Sequence, residues 1–495
     1  MRRLASLWPG AASAVLVLAA FPPLNLALLV FVGLVPLLLA LMKSSPRRAI
    51  ALGYVFGLVY MLAQMFWLQA LVVRWTNDVA LSFLPWILAG LIGAWYFALF
   101  GWLANRCFRA GMPWMVPLVW AGIEVFRSYI PGLAFPWALL SDPLWRATAL
   151  IQTAYFGSIY VVSAWCALAS LIVAFWIERE KWKVVRPYAT AFLLTTALSF
   201  ARYGTPLPDK KMKVTVGQPG VDMAFGDADK REEDLGVAVH HLMQVAIRTN
   251  SSLLVLPEGL ADASDGLPPN APFAITDQVP VLFGGKRGKN PPYQSAFSYD
   301  GEKWQYADKT RLVVFGEYVP GRNWIPFLSA FHLPSGDLVA GEKLGVVDIR
   351  GTKVGPLICF EGLFPDLAYR QALNGAQMLA ILSIDDWYMG TSAPEQLKSE
   401  AVWRAVETGL PLVRSASLGY SLAVDGHGRV LSEAPIGKTI ALYAEVPLPD
   451  RASPFPLYPI FPAVSLLSLA GAVFAPKLKR REAVGAAAKS KKGRK

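Results

Sequence analysis

Apolar and polar positions divide the chain into two kinds of region. Apolar stretches that can cross a bilayer run over about 7–21, 24–42, 50–73, 79–104, 112–129, 148–177, 184–201 and 457–476, the first and seventh being short. They predict about eight membrane-spanning helices. Between the seventh and eighth the pattern changes. Strand-like runs at 213–220, 252–259, 279–286, 295–308, 344–361, 376–387, 411–425 and 439–446 interleave with helical periodicity at 229–249, 363–374 and 394–408. Near-continuous apolar strands ending in charged residues predict a layered α/β domain with buried sheets, and Asp-Gly at 300 and 425 predicts hairpin turns. The expected organisation is seven helices over 1–202, an α/β domain over 203–456, an eighth helix over 457–476 and a basic tail over 477–495.

Composition agrees with this division. Of 495 residues, 54% are hydrophobic and 17% charged, with a mean hydropathy of +0.40, too apolar for an ordinary soluble chain and too polar for one embedded throughout. A formal charge of +12 could suggest nucleic acid, but Lys and Arg gather in the tail and in short connections between apolar runs. That is the positive-inside distribution, so a membrane and no nucleic acid is expected as partner. The basic clusters Arg2/Arg3, Lys43/Arg47/Arg48, Arg106/Arg109, Arg179/Lys181/Lys183/Arg186 and 477–495 recur at every second connection. Those sides are expected in the cytoplasm, which places 203–456 on the outer face, and only an even span count returns the tail. Arg2 and Arg3 could head a cleaved signal peptide; since Phe21-Pro22-Pro23 leads straight into another apolar run, a retained hairpin is expected. Glu124 and Arg127, one helical turn apart in an apolar stretch, are expected to pair with each other or to meet substrate.

Candidate chemistry lies in the polar block. Glu258, Lys309 and Cys359 each sit at or just beyond a strand-like run, where α/β domains place their chemistry. Each also has a plain structural reading. A lone Cys after an apolar strand is ordinarily inert, a Glu after Leu-Pro can end a strand, and Lys309 beside Asp308 can form a surface ion pair. Together, a carboxylate, an ammonium and a thiol are the parts of a cysteine acyl-transfer site. A free thiol, with a pKa of about 8.5, is mostly protonated at neutral pH and needs a base, for which Glu258 is the candidate. Lys309 would hold the thiolate and the oxyanion, together with a backbone N–H beside Cys359. Cys107 and Cys166 lie in or beside apolar runs, which leaves no disulfide framework, and His240, His241, His332 and His427 are scattered. No metal and no cofactor is expected.

In this order, Glu, Lys and Cys resemble the site of the nitrilase, or carbon-nitrogen hydrolase, superfamily, which is built on an αββα sandwich. The whole chain resembles the membrane-bound apolipoprotein N-acyltransferase family within it. In the apolar part the resemblance rests on Phe21-Pro22-Pro23, on Glu124 and Arg127 before Phe135-Pro136-Trp137, and on Gln152 with Gly157 and Tyr160. In the polar part it rests on Pro257-Glu258-Gly259, Lys309 with Arg311-Leu312-Val313, Phe315-Gly316-Glu317-Tyr318-Val319-Pro320, Cys359 with Glu361, and Arg404, Glu407, Pro411 and Arg414. Phe360 stands where the family has Tyr, Ser383-Ile384-Asp385-Asp386-Trp387-Tyr388 replaces Ser-Asn-Asp-x-Trp-Phe, and Ser417 stands where the family has Asn.

The resemblance implies a bacterial inner-membrane enzyme with its catalytic domain on the periplasmic face. Cys359 would take an acyl chain from a phospholipid, phosphatidylethanolamine being the expected donor. It would pass the chain to the α-amine of a diacylglyceryl-cysteine at an apolipoprotein N-terminus, with ping-pong kinetics. Glu317 and Glu361 are expected to fix Lys309 and the loop geometry, Glu361 being also a candidate contact for the amine, with Phe360 supporting. Extracting a long acyl chain into water costs on the order of 10 kcal/mol at about 0.8 kcal/mol per CH₂, so the thiol must meet the chain at the bilayer surface. Trp324, Phe327 and Phe331, within the Pro- and Gly-bounded stretch 320–334, read either as a lid or membrane-dipping arm or as a satellite core; Trp387 is a further candidate lipid contact. Two other readings remain at this stage. One is a membrane-tethered amidase using the same trio, the other a non-catalytic receptor or transporter in which Cys359 is inert.

Overall fold

The computed structural model describes residues 6–322, 324, 333 and 336–475. Its first part is helical: α1 Trp8–Leu18, α2 Val35–Met42, α3 Pro46–Gln64, α4 Phe66–Thr76, α5 Val79–Ala110, α6 Met115–Tyr129, α7 Ile159–Ile177 and α8 Trp182–Tyr203. Local chemistry sets several ends. Pro46 starts α3 behind Ser45, Asp78 caps α5 by accepting from the Leu81 N–H at 2.9 Å, and Gly111 closes α5 at φ 69°. Helices α5, α7 and α8 are long and apolar enough to cross a membrane, and α3 with α4 makes a fourth if the 41° bend between them is one broken span.

The apolar pattern predicted one helix over 50–73, but the structure breaks it at Met65. Indole N–H groups of Trp86 and Trp137 bond the Leu62 and Gln64 carbonyls at 2.7 and 3.2 Å, drawing those carbonyls out of the helical ladder. Helices α3 and α5 touch backbone to backbone. A Cβ on Gly53 would lie 2.1 Å from the Phe97 carbonyl oxygen, and one on Gly101 would lie 2.4 Å from that of Ala49. Glu124 and Arg127 show no ion pair with each other and instead clamp the loop after α6. Arg127 donates to the Trp137 and Ala138 carbonyls at 2.6 and 2.7 Å, and Glu124 accepts from the Leu140 N–H at 2.8 Å and the Trp120 indole at 2.9 Å.

Among the described residues thirteen strands follow: β1 Lys211–Gln218, β2 Leu253–Val255, β3 Ala261–Ala263, β4 Val281–Arg287, β5 Tyr293–Tyr299, β6 Trp304–Asp308, β7 Val347–Ile349, β8 Thr352–Ile358, β9 Met378–Ser383, β10 Leu412–Ala416, β11 Leu422–Val424, β12 Val430–Glu433 and β13 Ile440–Pro447. One sheet runs β13-β1-β2-β4-β5-β6 with β3 beside β4, the other β12-β11-β10-β9-β8-β7. Asp300 and Asp425 lie in the β5–β6 and β11–β12 connections, at the predicted turns. The inner faces bury Val214, Val216, Val255 and Leu282 against Val354, Ile358, Ala380 and Val413. Helix α9 Ala228–Arg248, capped by Asp227, covers the first sheet with Leu235, Val239, Leu242 and Met243.

Helices α10 Pro365–Leu373 and α11 Ala393–Thr408 cover the second sheet, completing four layers. Their far sides enter the same apolar core as the first helices: Phe364, Leu367, Trp403 and Val406 share it with Trp137, Leu144, Ile159 and Tyr160. The chain closes with α12 Ile460–Ala475, a shorter apolar helix. Each of the eight predicted apolar stretches thus contains a helix.

Candidate active site

Three chain segments converge: Glu258 and Cys359 line one cavity, and Lys309 lies buried beside Glu258 without lining it. Beyond β2 the Gly284 N–H bonds the Pro257 carbonyl at 2.9 Å and the Leu260 N–H bonds the Gly284 carbonyl at 2.8 Å, which sets Glu258 opposite Gly284 between β2 and β3. Gly284 is required there, since a Cβ would sit 2.7 Å from the Glu258 Cα. Lys309 directly follows β6. Its neighbour Asp308 is taken by Arg287 at 2.7 Å and Ser295 at 2.6 Å, so the surface pair Asp308–Lys309 does not form and Lys309 turns inward, 0% exposed. Cys359 directly follows β8 at φ 51°, a left-handed conformation that lifts the thiol off the sheet at the start of a short turn, Cys359–Leu363.

Lys309 Nζ lies 2.6 Å from Glu317 and 3.9 Å from Glu258. Burial alone would lower the Lys309 ammonium, but the Glu317 and Glu258 carboxylates outweigh it and hold the ammonium well above the ordinary lysine range. Burial pushes the Glu258 carboxyl up to about 7, against the pull of Lys309, with Glu317 adding to the rise. Burial, aided by the Glu258 charge, pushes the Cys359 thiol up to about 12. The resting site is therefore a neutral thiol beside a carboxylate poised near neutrality and a firm cation, which suits proton abstraction in step with attack.

Glu317 also accepts from the Val313 N–H at 2.9 Å, which fixes the loop after Lys309. Glu361 joins the two strand ends that carry Lys309 and Cys359. One oxygen accepts from the Thr310 N–H at 2.7 Å, the Thr310 hydroxyl at 2.8 Å and the Arg311 N–H at 3.1 Å, and the other from the Ile358 N–H at 2.9 Å. Both oxygens are thus engaged within the protein, which makes Glu361 a support for the turn. Phe360 does not line the cavity and stacks on Phe135 at 5.8 Å, seating the turn on the loop after α6.

The cavity, about 740 Å³, is lined by Glu258, Glu317 and Cys359, by Phe315, Ile384, Trp387 and Tyr388, and on one side by Trp67, Leu68 and Leu71 of α4. Trp387 is therefore a cavity wall, packed edge-on against Phe225 at 5.3 Å. Trp324 is 89% exposed and does not line the cavity; Phe327 and Phe331 lie outside the described residues. Arg74, at the end of α4, bonds the Asp386 carbonyl and Asp222 and so ties two rim loops to the helical region. Arg414 bonds Asp385 at 2.7 Å, fixing the segment that carries Trp387 and Tyr388.

Two family models match: apolipoprotein N-acyltransferase N-terminal domain over residues 13–172 and carbon-nitrogen hydrolase over 286–453. The apolipoprotein N-acyltransferase of Geobacter metallireducens is 29% identical over 482 residues, 89% of each chain. That of Rhizobium etli is 30% identical over 430 residues, 79% of this chain and 78% of that one. The chain belongs to the apolipoprotein N-acyltransferase family. Solved structures with lower similarity include Nit3 of Saccharomyces cerevisiae, a nitrilase-superfamily member that is 19% identical with a TM-score of 0.37, covering 49% of this chain and 92% of that one.

Within the family frame, the trio was legible in the sequence, whereas the cavity wall from α4, the rim tie at Arg74 and the half-buried phenol of Tyr388 were not. Tyr388 is raised well above the ordinary tyrosine range by burial first and then by the charges of Cys359, Asp385, Glu317 and Glu258. Its signal was present as a hydroxyl where the family has Phe. The α4 residues carried none, because within an apolar stretch nothing marks the face that will meet another domain.

Proposed function

We propose that this chain N-acylates apolipoproteins by a two-step transfer through Cys359, with a phospholipid as acyl donor. Membership of the acyltransferase family supports the activity. The observation that carries the residue roles is one cavity holding Cys359 and Glu258 over the buried Lys309, with α4 as an apolar wall. In the first step Glu258 takes the thiol proton while sulfur attacks the ester carbonyl. The Lys309 ammonium and a backbone N–H beside Cys359 hold the oxyanion. Collapse breaks the ester C–O bond, and the departing glycerol oxygen takes the proton from Glu258, leaving a thioester and a lysophospholipid. In the second step the α-amine of the diacylglyceryl-cysteine attacks the thioester and gives its proton to Glu258. The C–S bond breaks, and the thiolate recovers that proton.

In this reading phosphatidylethanolamine is the donor, eight spans enclose the helical region, and residues 203–456 work on the periplasmic face of the bacterial inner membrane. The alternating basic connections support that orientation. Family membership disfavours both an amidase that delivers the acyl group to water and a non-catalytic receptor or transporter. The test is incubation of purified protein with acyl-labelled phospholipids of different headgroups, followed by trapping of a hydroxylamine-sensitive label. Wild type is expected to label and Cys359→Ala not to. Equal labelling of both would remove the thioester mechanism, and indifference to headgroup would remove the phosphatidylethanolamine preference.

A further inference from the structure

A non-glycine residue at φ 51° holds its conformation only if its surroundings over-determine it. The turn Cys359–Leu363 is fixed on its amino side by Glu361, as described above. On its carboxyl side stands Arg404 of α11, whose Nη1 donates to the Leu363 carbonyl at 2.6 Å and the Gly362 carbonyl at 3.3 Å. Arg404 Nε donates to Glu407 at 2.6 Å, and Glu400 lies 3.3 Å from Nη1. The other Glu407 oxygen accepts from the Ser158 hydroxyl at 2.8 Å and from the Ile159 N–H at 2.7 Å, the first N–H of α7. A carboxylate at that place satisfies an orphan helix donor and is favoured by the helix dipole, so Glu407 is held firmly.

Arg404 and Glu407 are both fully buried, and neither lines the cavity. Charge-assisted bonds therefore run without a gap from the start of an apolar helix, through two side chains, to the backbone that carries the thiol. A fork-shaped guanidinium suits this place, since it bonds a carboxylate on one side and two carbonyls on the other.

We propose that Arg404 and Glu407 are positioning residues for acyl transfer, fixing the carboxyl side of the Cys359 turn to α7 so that docking of the α/β region on the helical region sets the attack geometry of the thiol. This rests on the acyl-transfer role of Cys359, and the experiment separates the two ideas. Arg404→Lys and Glu407→Gln are made in the full chain. Cys359 acylation by labelled phospholipid is then measured per iodoacetamide-reactive Cys359, alongside the thermal midpoint and the pH dependence of kcat/KM. Displacing a reacting group by about 1 Å costs about 10²-fold, so kcat should fall by that order in Arg404→Lys while KM stays within about twofold. The acid limb set by Glu258 should not move, because the Glu258–Lys309–Glu317 group is left intact. A lowered thermal midpoint with kcat per reactive thiol unchanged would mean a structural role only and would overturn the proposal. Should Arg404→Lys fail to fold, Glu407→Gln and Ser158→Ala decide, since both leave Arg404 in place but loosen its anchor; unchanged kcat in both overturns it. Failure of the wild type to label would defeat the Cys359 reading itself.

Discussion

At the scale of residues, the site depends on keeping a carboxylate and a thiol apart in acidity. Glu258 at about 7 must be ionised to act as base, so kcat/KM should fall about tenfold per pH unit below that value. With the Lys309 ammonium held well above its ordinary range, no matching alkaline limb should come from Lys309. Glu317 contributes to the Glu258 shift, so Glu317→Gln should move the acid limb to lower pH as well as reduce the rate; a limb that stays or rises would contradict this electrostatic account. The linkage to stability has the same origin. The folded pKa of Glu258 exceeds its unfolded value, so its contribution to stability is full below the unfolded pKa and is lost as pH rises towards about 7. Residue identities were the most legible part of the site, because Glu258, Lys309 and Cys359 each follow a strand directly or nearly so. Which groups Phe360 and Glu361 meet was not legible, since the direction in which a side chain leaves a turn depends on φ and on the elements packed around it.

At the scale of elements, the Cys359 turn and the α3–α5 pair make the sharpest demands. Glu361 accepts four bonds from donors only, and a glutamine there would present an NH₂ to some of them. Glu361→Gln should therefore lower kcat by roughly 10- to 100-fold through a misplaced thiol, with KM little changed, as read by thioester formation. The close approach of α3 and α5 leaves no room at Gly53, so Gly53→Val should destabilise by about 1–3 kcal/mol or more, visible as a lower thermal midpoint in detergent. An unchanged midpoint would mean the two helices do not meet there. Most helices and the longer strands were legible from period, but the short strands β3 and β12 were not, since three or four residues carry too little pattern. The bend at Met65 was not, because it depends on Trp86 and Trp137, indole donors 24 and 73 residues away in sequence.

At the scale of the whole molecule, the helical and α/β regions share one apolar core, with α10 and α11 between the second sheet and the first helices. Residues 203–456 produced alone should therefore expose Phe364, Leu367 and Trp403, aggregate or bind a hydrophobic dye; a monodisperse, active fragment would contradict the shared core. The exposed Trp324 belongs to this scale too. If its segment dips into the bilayer, Trp324→Ser should slow acylation from vesicle phospholipid but not from a short water-soluble acyl ester. Equal rates with vesicles would remove the arm from the mechanism.

The sequence by itself determined that apolar helices adjoin an α/β block, because hydrophobic period and length are local properties, and that a carboxylate, an ammonium and a thiol lie at strand ends. Only the tertiary structure decided that α4 walls the cavity, that Glu361 braces the thiol's turn through Thr310, Arg311 and Ile358, and that Arg404 and Glu407 join this turn to α7. These are contacts between segments far apart in sequence, formed by buried polar groups whose partners are fixed only when the two regions pack and exclude water.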